Sequence, residues 1–358
     1  MSRPPRRRVP AGLYLLLGVL VLAGPIVCLT GFHPVTGIFK DPALLWRRIL
    51  WPLLRLTFFI SIGLFAGQVI EGLGWTHRLT LLARPFMRRA HLSSPMGAAF
   101  TTAFVSGTAA LSMLMAFHKD GALTRRELVL SVLLNTFPSF FLHLPTTLFI
   151  LLPLVGTAGL LYLLLTLAAA VFRLVAVLTA SRALLPARHG MDEAAEEKHK
   201  KASWKDVLRE TPGKFRIRIA RILMIVLPVY LLVVVVSDMG LFTWLRHVLA
   251  GRFTSAFVPV EAFSVVLFSL VAEFTSGYAA AGAMLEAGAL TVPQAALALL
   301  CGTILAAPIR ALRHQLPYYM GIFTPRLGLG LMVASQAFRI LSLALVGGLF
   351  LAGVYLFH

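Results

Sequence analysis

Long runs of apolar residues constrain this chain more than any other feature of its sequence. The run "LYLLLGVLVLAGPIVCL" starts at residue 13, and the run "ILMIVLPVYLLVVVV" starts at residue 222. A helix needs about 20 mostly apolar residues to cross the hydrocarbon core of a bilayer. The runs are continuous rather than alternating, which favours helices over the strands of a membrane barrel. The sequence therefore predicts an all-α polytopic membrane protein.

The composition supports the same fold class. Hydrophobic residues make up 58% of the 358 residues and charged residues 13%, whereas a soluble domain carries about 25% charged residues. The formal net charge is +19, but the basic residues lie between the apolar runs, where they set topology and attract anionic lipids. Anionic lipids are therefore expected partners, and nucleic acid is not. Cys28 and Cys301 lie in apolar segments without metal-ligand spacing, so neither a disulfide nor a metal site is expected.

Residues 1–48 combine a basic N-terminus, an apolar run and a loop. A basic start before an apolar run is also typical of a cleaved signal peptide. The run continues through Pro25 to Leu29 without a small-x-small cleavage site, which favours an uncleaved first helix over about residues 11–30. We expect this helix in a bacterial-type inner (cytoplasmic) membrane, with the N-terminus in the cytoplasm.

The tetrapeptide "GALT" occurs twice, at residues 121–124 and 288–291, which are 167 positions apart. Other landmarks recur in the same order at nearly the same offset: Glu71 and Asp238, Arg173 and Arg339, and Ser106-Gly107 and Ser276-Gly277. Shared offsets of this kind indicate an internal duplication. We predict a first repeat over 49–185, a charged cytoplasmic linker over 186–215 and a second repeat over 216–358.

Both repeats predict the same series of segments. A helix is followed by an amphipathic piece, a small-residue segment, a helix interrupted by proline or glycine, and a last helix with a central arginine. In the first repeat these segments cover 49–73, 77–91, 95–117, 127–153 and 157–185. In the second repeat they cover 217–239, 241–252, 261–287, 293–309 and 327–357.

The small-residue segments 95–117 and 261–287 have two interpretations. Each is long enough for one crossing, but each also folds back plausibly at its Ser-Gly pair, with arms of about ten residues that reach about 15 Å, or half of the apolar core. Cytoplasmic loops are enriched in Lys and Arg. If both segments are re-entrant hairpins, the linker 186–215 and most other basic residues fall on the cytoplasmic side. This favours hairpins, and the two repeats then have opposite orientation, as in many secondary transporters.

Arg173 and Arg339 lie well inside apolar runs, where an arginine at the centre of a helix costs at least about 2.5 kcal/mol. Each should face the protein interior and contact a partner. The partner is either a structural carboxylate, with Glu71 and Asp238 as the candidates, or an anionic substrate.

Glu273 stands beside the second Ser-Gly pair, at a position where the first repeat has Ala103. A carboxylate that breaks the repeat at this place is the candidate for binding a coupling proton or Na⁺. The alternative is a plain ion pair with a nearby arginine.

The first interrupted helix carries Asn135, Ser139 and His143 at four-residue steps, which is the spacing of one helical face. Proline residues in it free backbone carbonyls, which coordinate ions or substrate when a helix breaks at a cavity. The alternative is a kink with hydrogen bonds between helices. Thr303 holds the matching place in the second repeat. Arg310, Arg313 and His314 follow on one face, and we interpret them as a topology anchor or an anion-attracting vestibule.

Two Gly/Ser-rich segments, each followed by "GALT" and an interrupted helix, resemble the nucleoside-recognition or Gate domain. That domain occurs in the permease part of ferrous-iron transporters and in spore-maturation membrane proteins, and is similar to concentrative nucleoside transporters. The resemblance covers about 49–153 and 217–309. It implies a substrate site between two hairpin tips and two interrupted helices, formed here by Ser106, Gly107, Thr108, Asn135, Glu273, Thr275, Ser276 and Thr303. Ser139, on the same predicted helical face as Asn135, is counted with them.

The sequence thus predicts a transporter of a small polar or anionic solute, driven by H⁺ or Na⁺ and working by alternating access. A lipid-phosphate flippase that uses Arg173 and Arg339, and a non-transporting scaffold or accessory subunit, are the alternatives. The HExxH, Gly-x-Ser-x-Gly and Walker patterns do not occur in the sequence, so neither an enzyme nor a cofactor is expected. A homo-oligomer remains open.

Overall fold

The computed structural model describes residues 41–72, 91–186, 259–271 and 274–357, together with scattered positions between 212 and 231. About 89% of these residues are helical, and none of them is in a strand. The predicted helix over 11–30 and the amphipathic piece over 241–252 lie outside the described residues. So do most of the piece over 77–91 and most of the linker.

The described part of the first half begins with a short helix Pro42–Leu45 and a π-helical turn Trp46–Leu50, which lead into the helix Trp51–Gly72, here the leading helix. The first hairpin comprises Ser94–Ala103 and Gly107–Lys119. The first interrupted segment comprises Arg125–Leu134, Thr136–Leu142 and Leu144–Val155, and the first long helix is Thr157–Leu184.

The second half repeats this order. The second hairpin comprises Val260–Val271 and Phe274–Glu286. The second interrupted segment comprises Val292–Arg310, a π-helical turn Ala311–Gln315 and Leu316–Ile322, and the second long helix is Pro325–Phe357. The helical segments predicted from the sequence are confirmed where the structure describes them, with ends that differ by a few residues.

Three of the described helices are long and apolar enough to cross a membrane: the two long helices and Val292–Arg310. The first interrupted segment bends by 53° between Leu142 and Leu144, and it gives a fourth candidate if its two parts form one span. These helices indicate that the protein is associated with a membrane.

Both small-residue segments form two short helices that pack against each other, rather than one long helix. In the first hairpin, Thr102 Oγ1 lies 3.9 Å from Met113 Sδ. In the second, Ser276 Oγ donates a hydrogen bond of 2.8 Å to the carbonyl oxygen of Phe268. The two arms of each segment, here called the first and second hairpin, are therefore in contact with each other near the break between them.

The two "GALT" turns have the same hydrogen bonds. The amide of Ala122 donates to the carbonyl of Phe117, and the amide of Ala289 donates to that of Met284, each at 2.9 Å. Gly121 and Gly288 adopt φ values of +75° and +67°, a region that glycine enters without steric cost. Each turn leads into a capping box, formed by Thr124 with Glu127 and by Thr291 with Gln294. The two turns therefore agree down to individual backbone hydrogen bonds.

The described apolar residues form two cores, and each core combines both halves. The first core contains the first hairpin, the start of the first interrupted segment and the end of the second. The second core contains the second hairpin, the start of the second interrupted segment, the end of the first, and the leading helix.

The long helices pack side by side and join the two cores. The first long helix begins in the second core at Ala158 and reaches the first core at Val177. The second long helix enters the first core at Leu331 and reaches the second core at Leu343. Equivalent helices of the two halves therefore run in opposite directions between the cores.

Candidate functional site

A group of polar side chains lies along the two long helices and on the second interrupted segment and second hairpin beside them. We call it the central polar cluster, and it comprises Tyr162, Arg173, Tyr278, Thr303, Arg310, Arg339 and Ser342. Arg173 stands between Ala169 of the second core and Val177 of the first. Both halves of the chain contribute to the cluster.

Arg173 connects the two long helices. Its Nη1 donates a hydrogen bond of 2.6 Å to Ser342 Oγ, and Ser342 Oγ donates one of 2.8 Å to the carbonyl oxygen of Arg339. Arg173 is only 5% exposed, and its Nε has no hydrogen-bond partner among the residues that the structure describes. A buried donor without an acceptor is costly, so this guanidinium retains unused binding capacity.

A second set of contacts joins the first long helix to the second interrupted segment and the second hairpin. Tyr162 OH and Thr303 Oγ1 are 2.9 Å apart, and Arg310 Nη2 donates to the carbonyl oxygen of Thr303 at 3.0 Å. The rings of Tyr162 and Tyr278 lie 6.2 Å apart at an angle of 62°. Tyr162, Tyr278 and Thr303 are all buried.

The three arginines of the cluster interact electrostatically. Arg339 lies close enough to both Arg173 and Arg310 for their positive charges to repel one another. Such repulsion is weakly screened away from water. Neither Arg173 nor Arg339 forms a salt bridge with a carboxylate of the described residues. The arrangement favours an anion at this place.

The cluster brings together three residues singled out from the sequence: Arg173, Arg339 and Thr303. Sequence analysis missed Tyr162 and Tyr278, although a tyrosine in an apolar span needs a partner for its hydroxyl group. Arg310 was interpreted as part of a basic face beyond the helix. Its side chain instead turns back along Val292–Arg310 toward Thr303.

The tip of the first hairpin is open. Ser106 caps Gly107–Lys119, because its Oγ accepts a hydrogen bond of 3.2 Å from the amide of Ala109 and lies 3.2 Å from Thr108 Oγ1. Thr108 is exposed. A Cβ atom added to Gly107 would meet nothing within 4 Å. No hydrogen bond among the described residues connects Ser106, Gly107 or Thr108 to the central polar cluster.

The Ser276-Gly277 pair lies inside the second arm of the second hairpin, Phe274–Glu286, and is packed there. Residues 272 and 273, which join the two arms, lie outside the described residues. A Cβ atom on Gly277 would lie 2.0 Å from Ser269 Oγ, and one on Gly302 would lie 2.6 Å from the same atom. Ser276 is buried and bonded across the hairpin, and Thr275 is buried with no partner for its Oγ1 among the described residues. Glu273, the candidate coupling acid, lies outside the described residues.

Asn135 and Ser139 lie where the first interrupted segment changes direction. Asn135 separates Arg125–Leu134 from Thr136–Leu142, and His143 separates the latter from Leu144–Val155. The single helical face expected from the four-residue spacing is therefore interrupted, because Pro138 and Pro145 cannot donate the hydrogen bonds that would continue it.

The polar groups at this break are unequally satisfied. Ser139 Oγ donates to the carbonyl oxygen of Asn135 at 2.9 Å. The side chain of Asn135 is 6% exposed, and neither of its amide atoms has a hydrogen-bond partner in the described part of the chain. Asn135 remains a candidate binding residue separate from the arginines.

An ion pair fixes the far end of the second hairpin. Arg55 of the leading helix donates to Glu286, and the Tyr230 hydroxyl group donates to the other carboxylate oxygen of Glu286. The structural partners predicted from the sequence, Asp238 and the side chain of Glu71, lie outside the described residues.

Comparison with known proteins finds three relatives in Methanocaldococcus jannaschii. The chain is 27% identical to the uncharacterized protein MJ1556 over 289 residues, which cover 80% of this chain and 90% of the relative. It is 24% identical to the uncharacterized proteins MJ0871 and MJ0880, over 83% and 78% of this chain and 93% and 91% of the relatives. No family model and no solved structure matches the chain. Matches of this length include parts of both halves of the chain.

Proposed function

We propose that the protein is an integral membrane transporter that moves a small polar or anionic solute by alternating access between its two halves. The observation that carries the proposal is the central polar cluster, to which both halves contribute within membrane-spanning helices. Charged groups at such depth are expensive and mark substrate or ion pathways. A bacterial-type inner membrane, with a cytoplasmic N-terminus, remains the proposed location.

The opposite directions of the long helices support an inverted repeat. In transporters of this organisation, the site lies near the midplane between the repeats, and half-length helices point their N-termini toward it. The second arms of both hairpins have 13 residues, which corresponds to about 20 Å at 1.5 Å per residue. Since the apolar core is about 30 Å thick, arms of this length favour re-entrant hairpins.

The unequal tips support alternating access. Near the second tip, Ser269 is packed against Gly277 and against Gly302 of the interrupted segment, whereas the first tip has free space at Gly107. An alternating mechanism requires the two sides to close in turn. We interpret the structure as a state in which the second hairpin is closed and the first is open.

The resemblance to Gate-domain proteins extends the proposal to the tips. Ser106, Thr108, Asn135, Ser139, Thr275 and Ser276 would contact the uncharged part of the solute. Glu273 would bind the coupling H⁺ or Na⁺. Replacement Glu273→Gln should then remove the gradient dependence of uptake, and full retention of that dependence would exclude this role.

Accessibility of the tips tests the architecture. In a Cys28→Ser, Cys301→Ser background, Thr108→Cys should react with a water-soluble maleimide from one side of sealed proteoliposomes only. Thr275→Cys, at a buried position, should react at least about tenfold more slowly. Equal reaction of Thr108→Cys from both sides, or faster reaction of Thr275→Cys, would contradict the proposed state.

Uptake by proteoliposomes tests the activity itself. The full chain should accumulate at least one of uridine, inorganic phosphate and glycerol 3-phosphate above empty liposomes. Arg339→Gln should reduce the rate at least about tenfold, because it removes a charge at the site. Arg326→Gln, at an exposed position, is the matched control. Equal uptake by both variants would argue against the site.

A lipid-phosphate flippase is a second candidate. The second long helix exposes most of its apolar surface in the structure, including Leu341, Leu345 and Leu349, while the half-buried Arg339 lies on the same helix. A charged group next to an apolar outer face suits a lipid whose phosphate enters the protein and whose chains remain in the bilayer.

A further inference from the structure

The geometry points to a phosphate group as the ligand of the central polar cluster, whether the phosphate is free in solution or carried by a lipid. This inference rests on the proposed function, because it takes the central polar cluster as the substrate site. It adds the chemical group that the site recognises. It differs from the nucleoside expected from the resemblance, since a neutral nucleoside would leave the charge of the arginines uncompensated.

The first argument for a phosphate ligand concerns the hydrogen-bond donors of Arg173. Arg173 is buried, uses Nη1 to reach Ser342, and leaves Nε without an acceptor among the described residues. A guanidinium has five N–H donors in a planar fork that matches two oxygens of a phosphate group. The Nε–H of Arg173 is therefore available to an acceptor that the described residues do not supply.

The second argument concerns the positive charge of the three arginines in the cluster. Arg173, Arg310 and Arg339 come from three different helices and repel one another through Arg339. A halide ion has no oxygens that could pair with the N–H groups of several guanidinium groups. A carboxylate brings only one charge and two oxygens. A phosphate monoester brings up to two charges and three terminal oxygens arranged tetrahedrally, so it can face three helices at once.

The third argument concerns the hydroxyl groups of the cluster, which are further possible donors to a phosphate. Tyr162 and Thr303 share one hydrogen bond across helices, the Tyr278 ring lies beside Tyr162, and Ser342 already contacts Arg173. Hydroxyl groups can rotate to donate to an incoming oxygen. Together with the guanidinium groups, they form a surface rich in donors on both halves of the protein.

Binding of inorganic phosphate to the purified full chain in detergent tests the inference directly. Isothermal titration should show saturable binding that weakens by about tenfold to a hundredfold in Arg173→Gln and Arg339→Gln, the loss expected for a hydrogen-bonded charge. Arg182→Gln, an exposed arginine on the same helix as Arg173, should bind as the unmodified chain does. Arg173→Lys should weaken binding as well, since an ammonium group lacks the fork.

A second arm identifies the source of the phosphate. The protein is placed in nanodiscs of phosphatidylcholine with or without phosphatidic acid, and the lipid retained after delipidation is counted by native mass spectrometry. Retention of phosphatidic acid that is lost in Arg339→Gln supports a lipid phosphate. Binding of inorganic phosphate without such retention supports a soluble phosphate compound.

The inference is overturned if neither probe binds, or if both bind equally to Arg173→Gln, Arg339→Gln and Arg182→Gln. Thermal unfolding without phosphate shows whether each variant is folded, and Arg173→Lys provides a second variant if Arg173→Gln is not. Binding of phosphate without uptake of any tested solute would refute the proposed transporter and leave the phosphate site standing. Uptake of uridine without binding of phosphate would refute the phosphate site and leave the transporter standing.

Discussion

The two hairpins begin from nearly the same sequence and end in different packing. Both carry a Ser-Gly pair near the start of the second arm and the same "GALT" turn at the foot, where even the backbone hydrogen bonds agree. Gly277, inside its arm, lies against Ser269, whereas Gly107, at the first residue of its arm, borders free space. Short-range sequence therefore determines the turn, and tertiary contacts determine how each Ser-Gly pair is packed.

The largest expected effect comes from filling the space at the tips. Gly277→Val should lower the free energy of unfolding by about 1–3 kcal/mol, because the added carbons overlap Ser269. Gly107→Val should cost far less, since a Cβ atom there meets nothing within 4 Å. Thermal unfolding in detergent measures both.

Removing the Ser269 side chain provides the control for the two valine variants, because it relieves the overlap at Gly277. Gly277→Ala combined with Ser269→Gly should be more stable than Gly277→Ala alone, because the obstructing hydroxymethyl group is gone. Equal destabilisation by the two valine variants would show that the tips do not differ in packing.

A smaller effect of opposite sign is expected at the arginines between the hairpins. Arg339→Met should raise the free energy of unfolding by roughly 1 kcal/mol, because it removes repulsion from a weakly screened site while keeping the side-chain volume. It should also abolish uptake, which is the usual trade between stability and activity at a functional site. Thermal unfolding and proteoliposome uptake are measured on the same preparation. A loss of stability would show that Arg339 is held by a structural partner.

The smallest effect is expected at the feet of the hairpins. Thr124→Ala should cost about 1 kcal/mol, because Thr124 Oγ1 accepts from the amide of Glu127 at 3.3 Å and also contacts the Glu127 carboxylate at 2.8 Å. Thr291→Ala should cost less. Gln294 Oε1 accepts from the Thr291 amide at 2.9 Å, a bond that alanine retains. Thermal unfolding of both variants measures the loss of stability. A larger loss for Thr291→Ala than for Thr124→Ala would contradict the predicted order.

Much of the architecture could be predicted from the sequence, because apolar runs, proline and glycine act locally. The bounds of the long helices, the interruption of each small-residue segment and the breaks near Pro138 and Pro145 all follow from such signals. The recurrence of "GALT" was visible in the sequence, and its glycine has a positive φ angle in both copies.

The central polar cluster was only partly predictable. Arg173 and Arg339 were recognisable because a charge in an apolar run is unusual, but Tyr162, Tyr278 and the direction of Arg310 depend on contacts between distant helices. The packing of Gly277 against Ser269 depends on how two helices meet, which periodicity does not encode. Glu273, Glu71 and Asp238 remain predictions.

The contact of Glu286 with Arg55 and Tyr230 has a mechanical consequence. It ties the foot of the second hairpin to the leading helix, while Ser269 wedges the opposite end of the same hairpin against Gly302. A displacement of this hairpin as a rigid body would have to disrupt both attachments together. These two attachments thus hold the second hairpin at both of its ends.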